Sequence, residues 1–273
     1  MRRLALACLL AATVICRAGA ESTDWGKNAI WDDGLAEVAV YRSERPVYGT
    51  TRTYESVLIT VKEDFNATFH TKADPPYDAK RLIPILKMNR VSEIRTENYP
   101  YRYLTSVFVR RENAFRLVKM TVGSQEWCGN TFKEAKTWGG KPELIYHSYW
   151  DGQGDGSYPL DWGPDVLLED QLPLSLRGLP FSNGYRMACR LLPTQITNKA
   201  KKPKIIPATV RVAGQDKLTV PTGAISCWRV DVMFQDTQQT YWFEKDFPNI
   251  LVRLQSSDGR SLMLQKRERR TYW

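Results

Sequence analysis

At 273 residues, 42% of them hydrophobic and 25% charged, with 17 Gly and 15 Pro, the chain has the composition of an ordinary folded protein. That excludes disorder, collagen and coiled coil, and the length suits one large β domain or two smaller ones. The formal charge is +9, from 39 basic and 30 acidic side chains, and no stretch of the sequence spells a reaction.

Arg2 and Arg3 open the chain, an apolar run follows from Leu4 to Ile15, and Ala18-Gly19-Ala20 precedes Glu21. This pattern predicts a secretory signal cleaved after Ala20, because an apolar run of about 12 residues falls short of the roughly 20 that span a bilayer. The alternative is a lipoprotein tethered through Cys16, although Ile15 stands where the processing peptidase wants a small residue. No later segment is apolar enough to form a transmembrane helix. Cleavage would remove three arginines and no acid, leaving 36 basic and 30 acidic groups and a charge of +6. The expected location is periplasmic or secreted, and export leaves no nucleic acid within reach as a partner.

Alternation of period two then recurs along the chain, the mark of strands with one buried face. It is found at Ala36 to Arg42, around Val57, Ile59 and Val61, and at Phe115 to Val122 and Leu144 to Trp150. Residues 73 to 103 break the pattern with Asp74-Pro75-Pro76 and Asn98-Tyr99-Pro100-Tyr101 and are expected to form long loops. After strand 115 to 122 comes Gln125-Glu126-Trp127-Cys128-Gly129-Asn130. A thiol beside a carboxylate and an amide would be a nucleophile if His147 folded next to it. Against this, Glu126 would raise a thiol pKa, and the competing expectation is a small buried hydrophobe with Trp127 in the core.

Asp151-Gly152-Gln153-Gly154-Asp155-Gly156, with Asp161, has oxygens at alternate positions as a calcium loop does. Its twelfth position is Trp162 where a bidentate Glu is needed, so a hairpin loop is the expectation. His70 and His147 have no carboxylate or cysteine at ligand spacing, and no metal or cofactor is expected. Only Asp165 to Leu176 reads as a helix, opening after Pro164 and limited by Pro173.

Past residue 185 the strands resume. Cys189 and Cys227 both sit in strand-like sequence, and with Cys128 they allow one disulfide out of three pairings. A Cys189–Cys227 bridge between neighbouring strands is the first of these and would leave Cys128 as a free thiol. Lys199-Ala200-Lys201-Lys202-Pro203-Lys204 reads as a solvated loop or a patch for anionic lipid or wall polymer, and residues 195 to 207 mark the alternative to a single domain over 21–273. Strands follow at Thr209 to Val212, Trp228 to Phe234, Thr240 to Phe243, Ile250 to Leu254 and Leu262 to Lys266. Turn residues at Gly214-Gln215-Asp216, Pro221-Thr222-Gly223, Asp236 to Gln239 and Asp258-Gly259 make them an antiparallel meander.

The stretch from Ala208 to Leu264, with Thr219 to Ala224, Cys227 to Val232, Thr240-Tyr241-Trp242-Phe243 and Leu251-Val252-Arg253, resembles an uncharacterised exported bacterial domain-of-unknown-function family. That family is similar in fold to the lipoprotein carriers LolA and LolB. The resemblance implies a mainly β fold, a curved antiparallel sheet forming an unclosed barrel with one short helix and long loops. It also implies an apolar or amphipathic ligand, lipid above all, in the hollow. Trp228, Trp242, Phe243 and Trp127 are the aromatic residues expected to line such a site. The leading expectation is therefore a non-enzymatic envelope protein with a greasy half-barrel. A structural or interaction protein of envelope assembly, binding a protein partner, is the alternative, and a thiol enzyme using Cys128 is the third.

Overall fold

The computed structural model describes residues 23 to 273 apart from Tyr77 and Trp273; the predicted signal, with Cys16 and Ala20, lies outside the described residues. The strands in chain order are β1 (Ala36–Val47), β2 (Thr50–Asn66), β3 (Thr71–Lys72), β4 (Leu82–Arg95), β5 (Pro100–Arg110), β6 (Asn113–Glu126), β7 (Gly129–Lys136), β8 (Glu143–Ser148) and β9 (Asp155–Pro159). They continue with β10 (Val166–Leu168), β11 (Arg186–Leu192), β12 (Ile206–Val220), β13 (Gly223–Phe234), β14 (Thr237–Glu244), β15 (Leu251–Ser256) and β16 (Ser261–Arg270).

All belong to one sheet in the order β10-β11-β12-β13-β14-β15-β16-β1-β2-β4-β5-β6-β7-β8-β9, with β3 beside β2. The fold is thus mainly β, an unclosed, almost wholly antiparallel sheet made of two meanders. They meet where β16 pairs with β1, Ala36 opposite Arg270. The free edges are β9 and β10, the latter parallel to β11.

Period-two alternation sets the two faces. Ala39, Tyr41, Leu58, Met88, Val107, Met120 and Val122 point inward from one wing; Val210, Val230, Val232, Tyr241, Phe243 and Leu264 do so from the other. The hollow they form is filled by the chain itself. Between β9 and β11 the chain crosses it with Leu160, β10, a 3-10 turn (Glu169–Gln171), the α-helical turn α1 (Leu172–Ser175) and a second 3-10 turn (Leu176–Gly178). Leu168, Leu172, Leu174 and Leu176 are wholly buried there. The Ser175 hydroxyl donates to the Ala114 carbonyl of β6 at 2.5 Å, and Arg177 reaches β1 with two 2.8 Å bonds to Glu37. Arg177 also lies 4.6 Å from the Trp25 ring centroid, so the segment before β1 packs into the same floor.

A second crossing covers the other end. Residues 193–205, between β11 and β12, run over the hollow as a strap. Glu169 and Asp170 hold its root, accepting from the Thr194 amide at 2.9 Å, the Thr194 hydroxyl at 2.5 Å and the Gln195 amide at 2.7 Å. Its far part is held by β7: Lys133, wholly buried, donates to the Thr197 and Lys199 carbonyls, both at 3.0 Å. Burial pushes the Lys133 ammonium down to about 8. Asn198 donates to Glu126 at 2.6 Å and the Ala200 amide to Gln153 at 2.7 Å.

Three sequence expectations need correction. Residues 73–103 are largely sheet, since all of β4 and the start of β5 lie in them. Gly214-Gln215-Asp216 is a bulge within β12, where the register to β13 shifts between Val212 and Gly214. The segment from Asp165 begins as the strand β10, and helical turns occupy only 169–178. The strap overlaps residues 195 to 207, the place of the alternative split, and is bonded to Glu169 at one end and to Lys133 of β7 at the other.

Candidate functional site

The four aromatic residues singled out in the sequence are not brought together. Trp228 and Phe243 are cross-strand partners, and Phe181 stacks on Trp228 with ring centroids 5.9 Å apart, so this pair is covered by the chain. Trp242, one residue from Phe243, faces the other side of the sheet, where its indole N–H donates to Asp216 at 2.8 Å under Arg253. Trp127 sits in the β6–β7 turn and is 76% exposed.

The cysteines are also apart. Cys189 pairs with Ala208 and Cys227 with Asp216 on either side of β12. The eight-residue offset is about 25 Å of strand, far beyond the reach of a disulfide. The expected Cys189–Cys227 bridge is therefore absent. Cys227 is buried, and burial pushes its thiol up to about 12. Cys128 is an exposed free thiol, contrary to the expectation of a core residue, and its neighbour is the Tyr99 hydroxyl at 3.2 Å. His147 is committed elsewhere, with its Nδ1 at 3.2 Å from Asp155. Asp161 of the calcium-like loop is 2.5 Å from Arg190, and among the described residues no cluster of three or more His, Cys, Asp or Glu is placed to hold a metal.

An open apolar space lies away from all four of those aromatic residues, on the outer face of β4 to β7. Val91, Leu104, Gly123 and Phe132 are successive cross-strand partners on that face. Val91, Leu104 and Phe132 are exposed, and Gly123 between them has no side chain, which leaves a groove of about 500 Å³. Its floor is roomy: a Cβ built on Gly123 would meet nothing nearer than the Leu104 carbonyl oxygen at 4.0 Å. The next row toward the turns, Glu93, Arg102, Gln125 and Asn130, forms a polar border in which Arg102 bonds Glu93 at 2.9 Å.

Beyond that border lie the hairpin turns, and the ones at this end carry aromatic residues. Tyr48 in the β1–β2 turn is 77% exposed and Tyr149 after β8 is 70% exposed. Tyr48, Tyr101, Tyr99 and Trp127 form a chain of ring contacts with centroids 6.2, 5.5 and 5.8 Å apart. Burial and the Tyr48 hydroxyl raise the Tyr101 phenol, and the Cys128 contact raises that of Tyr99. The strap reaches the same place: Lys199 sits over the Trp150 ring at 3.2 Å, and Lys201, Lys202 and Lys204, all exposed around Pro203, have no ion pair among the described residues. Strand alternation could have located Val91 and Leu104, but only the register shows that Gly123 separates Leu104 from Phe132.

No family model, curated protein or solved structure matches the chain. The class of protein rests on the geometry alone: a curved β-sheet scaffold with a self-filled interior and an outward apolar groove beside an aromatic, basic rim.

Proposed function

We propose that the protein is a non-enzymatic exported binding protein that takes an apolar or amphipathic molecule, with the ligand seated in the outer groove of β4 to β7. The observation that carries this reading is the groove itself, apolar side chains on three strands around a glycine that leaves the floor open. The bordering Arg102, Gln125 and Asn130 would hold a polar head, as sites for amphiphiles combine an apolar bed with a few polar groups. The expected export signal and the resemblance to LolA and LolB favour a lipid-like ligand. The hollow expected to hold it is packed with leucines, so a ligand there would require the 160–179 segment to leave. The groove requires no such movement.

Binding of a fluorescent fatty acid to the full chain tests the reading. Gly123→Val should fill the floor and weaken binding about tenfold or more while leaving the melting temperature unchanged or raised, because a β-branched residue suits a strand. Trp228→Ala should leave binding intact. Unchanged binding in Gly123→Val with loss in Trp228→Ala would return the ligand to the hollow. A second reading, an interaction surface for an envelope protein, is favoured by the exposed Tyr48, Trp127 and Tyr149 at one end of the sheet. It predicts that a folded chain binding no fatty acid captures a partner and loses it on Trp127→Ala.

A further inference from the structure

Under the strap, on the inner face, the apolar packing gives way to a separate cavity of about 30 Å³. Arg45, Arg90 and Arg260 converge on it with the Tyr54 and Thr194 side chains, while Ile196, Leu254 and Leu262 form its apolar wall. Two of these arginines lack an anionic partner, although Arg45 lies 5.8 Å from the Tyr103 ring centroid. The Nε of Arg45 and that of Arg90 are buried without a hydrogen-bond partner. Arg90 makes one long bond, 3.5 Å to the Tyr54 hydroxyl, and Arg45 donates to the Ile196 carbonyl at 3.2 Å. Neither has a carboxylate within ion-pair distance among the described residues.

The nearby acids are committed elsewhere. Glu169 is 2.6 Å from Arg260 and accepts from Gln239 at 2.7 Å, and Asp170 is turned to Thr194 and Gln195. Asp258 binds Arg260, and Glu44, which also faces the cavity, is 3.3 Å from Arg42. Both arginines are half-buried, and a guanidinium whose Nε is withdrawn from water and unmatched is costly unless an anion completes it.

We infer that this cavity binds the carboxylate of a small organic acid, its oxygens bridging Arg45 and Arg90 beside the Tyr54 hydroxyl. A guanidinium pairs with a planar carboxylate through two parallel hydrogen bonds. The cavity has room for more than a single water and suits the few atoms of a carboxylate group. The short aliphatic carbons of such an acid lie against Leu254, Leu262 and Ile196. Because Thr194 and Ile196 belong to the strap, the bound acid also ties the strap to β2 and β4. This site is on the opposite face of the sheet from the groove and does not depend on it.

Calorimetry and thermal melting of the full chain with acetate and propionate test the site, with chloride and phosphate at equal ionic strength as controls. Saturable stabilisation by both carboxylates and by neither control is expected. Arg90→Met and Arg45→Met should each lower carboxylate affinity about tenfold or more. In chloride alone Arg90→Met should melt no lower than the parent protein, because a half-buried charge with an unmatched Nε has been removed. Arg90→Lys, which keeps the charge and loses the fork, should lower the affinity similarly and serves if the methionine variant does not fold. Equal stabilisation by all four anions, stabilisation by phosphate alone, or carboxylate affinity unchanged in Arg90→Lys would overturn the assignment. So would an Arg90→Met protein that folds but melts well below the parent in every buffer.

Discussion

Arg177, in the segment that fills the hollow, and Arg90, on the inner face of β4, have surroundings that differ in a way that separates the two ends of the hollow. At the lower end Arg177 gives its Nε and a terminal nitrogen to the Pro248 carbonyl, pairs with Glu37 through two bonds and lies over the rings of Trp25 and Trp31. At the strap end Arg90 has one long contact, and the Ser43, Ser124 and Ser256 hydroxyls are also buried without partners. A buried polar group left incomplete in a folded protein calls for an explanation, whereas a completed one specifies the packing around it. The lower end therefore reads as the part that holds the fold together, and the strap end as the part that holds something else.

The contrast is broken most directly at Arg177. Arg177→Met strands Glu37 at 4% exposure and should lower stability by about 3 to 5 kcal/mol, measured by denaturant titration. Arg90→Met is expected to cost nothing in the same experiment; equal losses in both would erase the distinction between the two ends. Next in size is Leu174→Ala in the filled floor, expected at about 2 to 5 kcal/mol through the cavity it opens. A loss near zero would mean that the segment is loosely seated and the hollow available after all.

Lys133 sharpens the comparison through pH. Its ammonium titrates near 8 in the folded chain against 10.5 when unfolded, so between those values the unfolded state binds more protons. Stability should therefore rise with pH across that window, by up to about 3 kcal/mol from this group, and the rise should vanish in Lys133→Met. Denaturation curves from pH 7 to 10.5 on both proteins isolate the term; parallel pH dependences would show that the strap anchor does not titrate there. The smallest effect belongs to Cys128. Being exposed, Cys128→Ser should shift stability by no more than about 0.5 kcal/mol. In the native protein iodoacetamide should label Cys128 readily and the buried Cys227 only after denaturation, as peptide mass spectrometry would show.

The same division governs how much could be read from the sequence. Strands such as β13 were legible because Val230, Val232 and Phe234 are inward and Arg229, Asp231 and Met233 outward, as the hydrophobic effect requires. The whole of β4 falls in the stretch expected to be loop, and its upper half shows why alternation misleads there: Arg90 and Ser92 point in beneath the strap, and Val91 points out into the groove. Both candidate sites lie where this strand departs from the rule, the departure expected where local sequence serves binding rather than packing. Trp228 and Phe243 were legible as inward residues, but that Phe181 would cover them depends on a segment distant in the chain. The cysteine pairing failed for a related reason, since neighbouring register across β12 cannot be read from either strand alone.

The junction of β1 with β16 sets the order in which the molecule can be completed. Ala36 lies opposite Arg270, so an early strand finds one of its two neighbours only in the last strand of the chain. During synthesis β1 through β9 can zip up by local hairpins, but the outer edge of β1 offers unpaired amides and carbonyls until residues 261–270 have emerged. Such long-range closure slows folding and leaves an open edge for other chains to join. Val38 and Val40 lie along that edge, and a chain truncated before Ser261 would keep it open permanently. Loss of the last ten-residue strand should therefore appear first as self-association of the truncated protein rather than as a defect in binding.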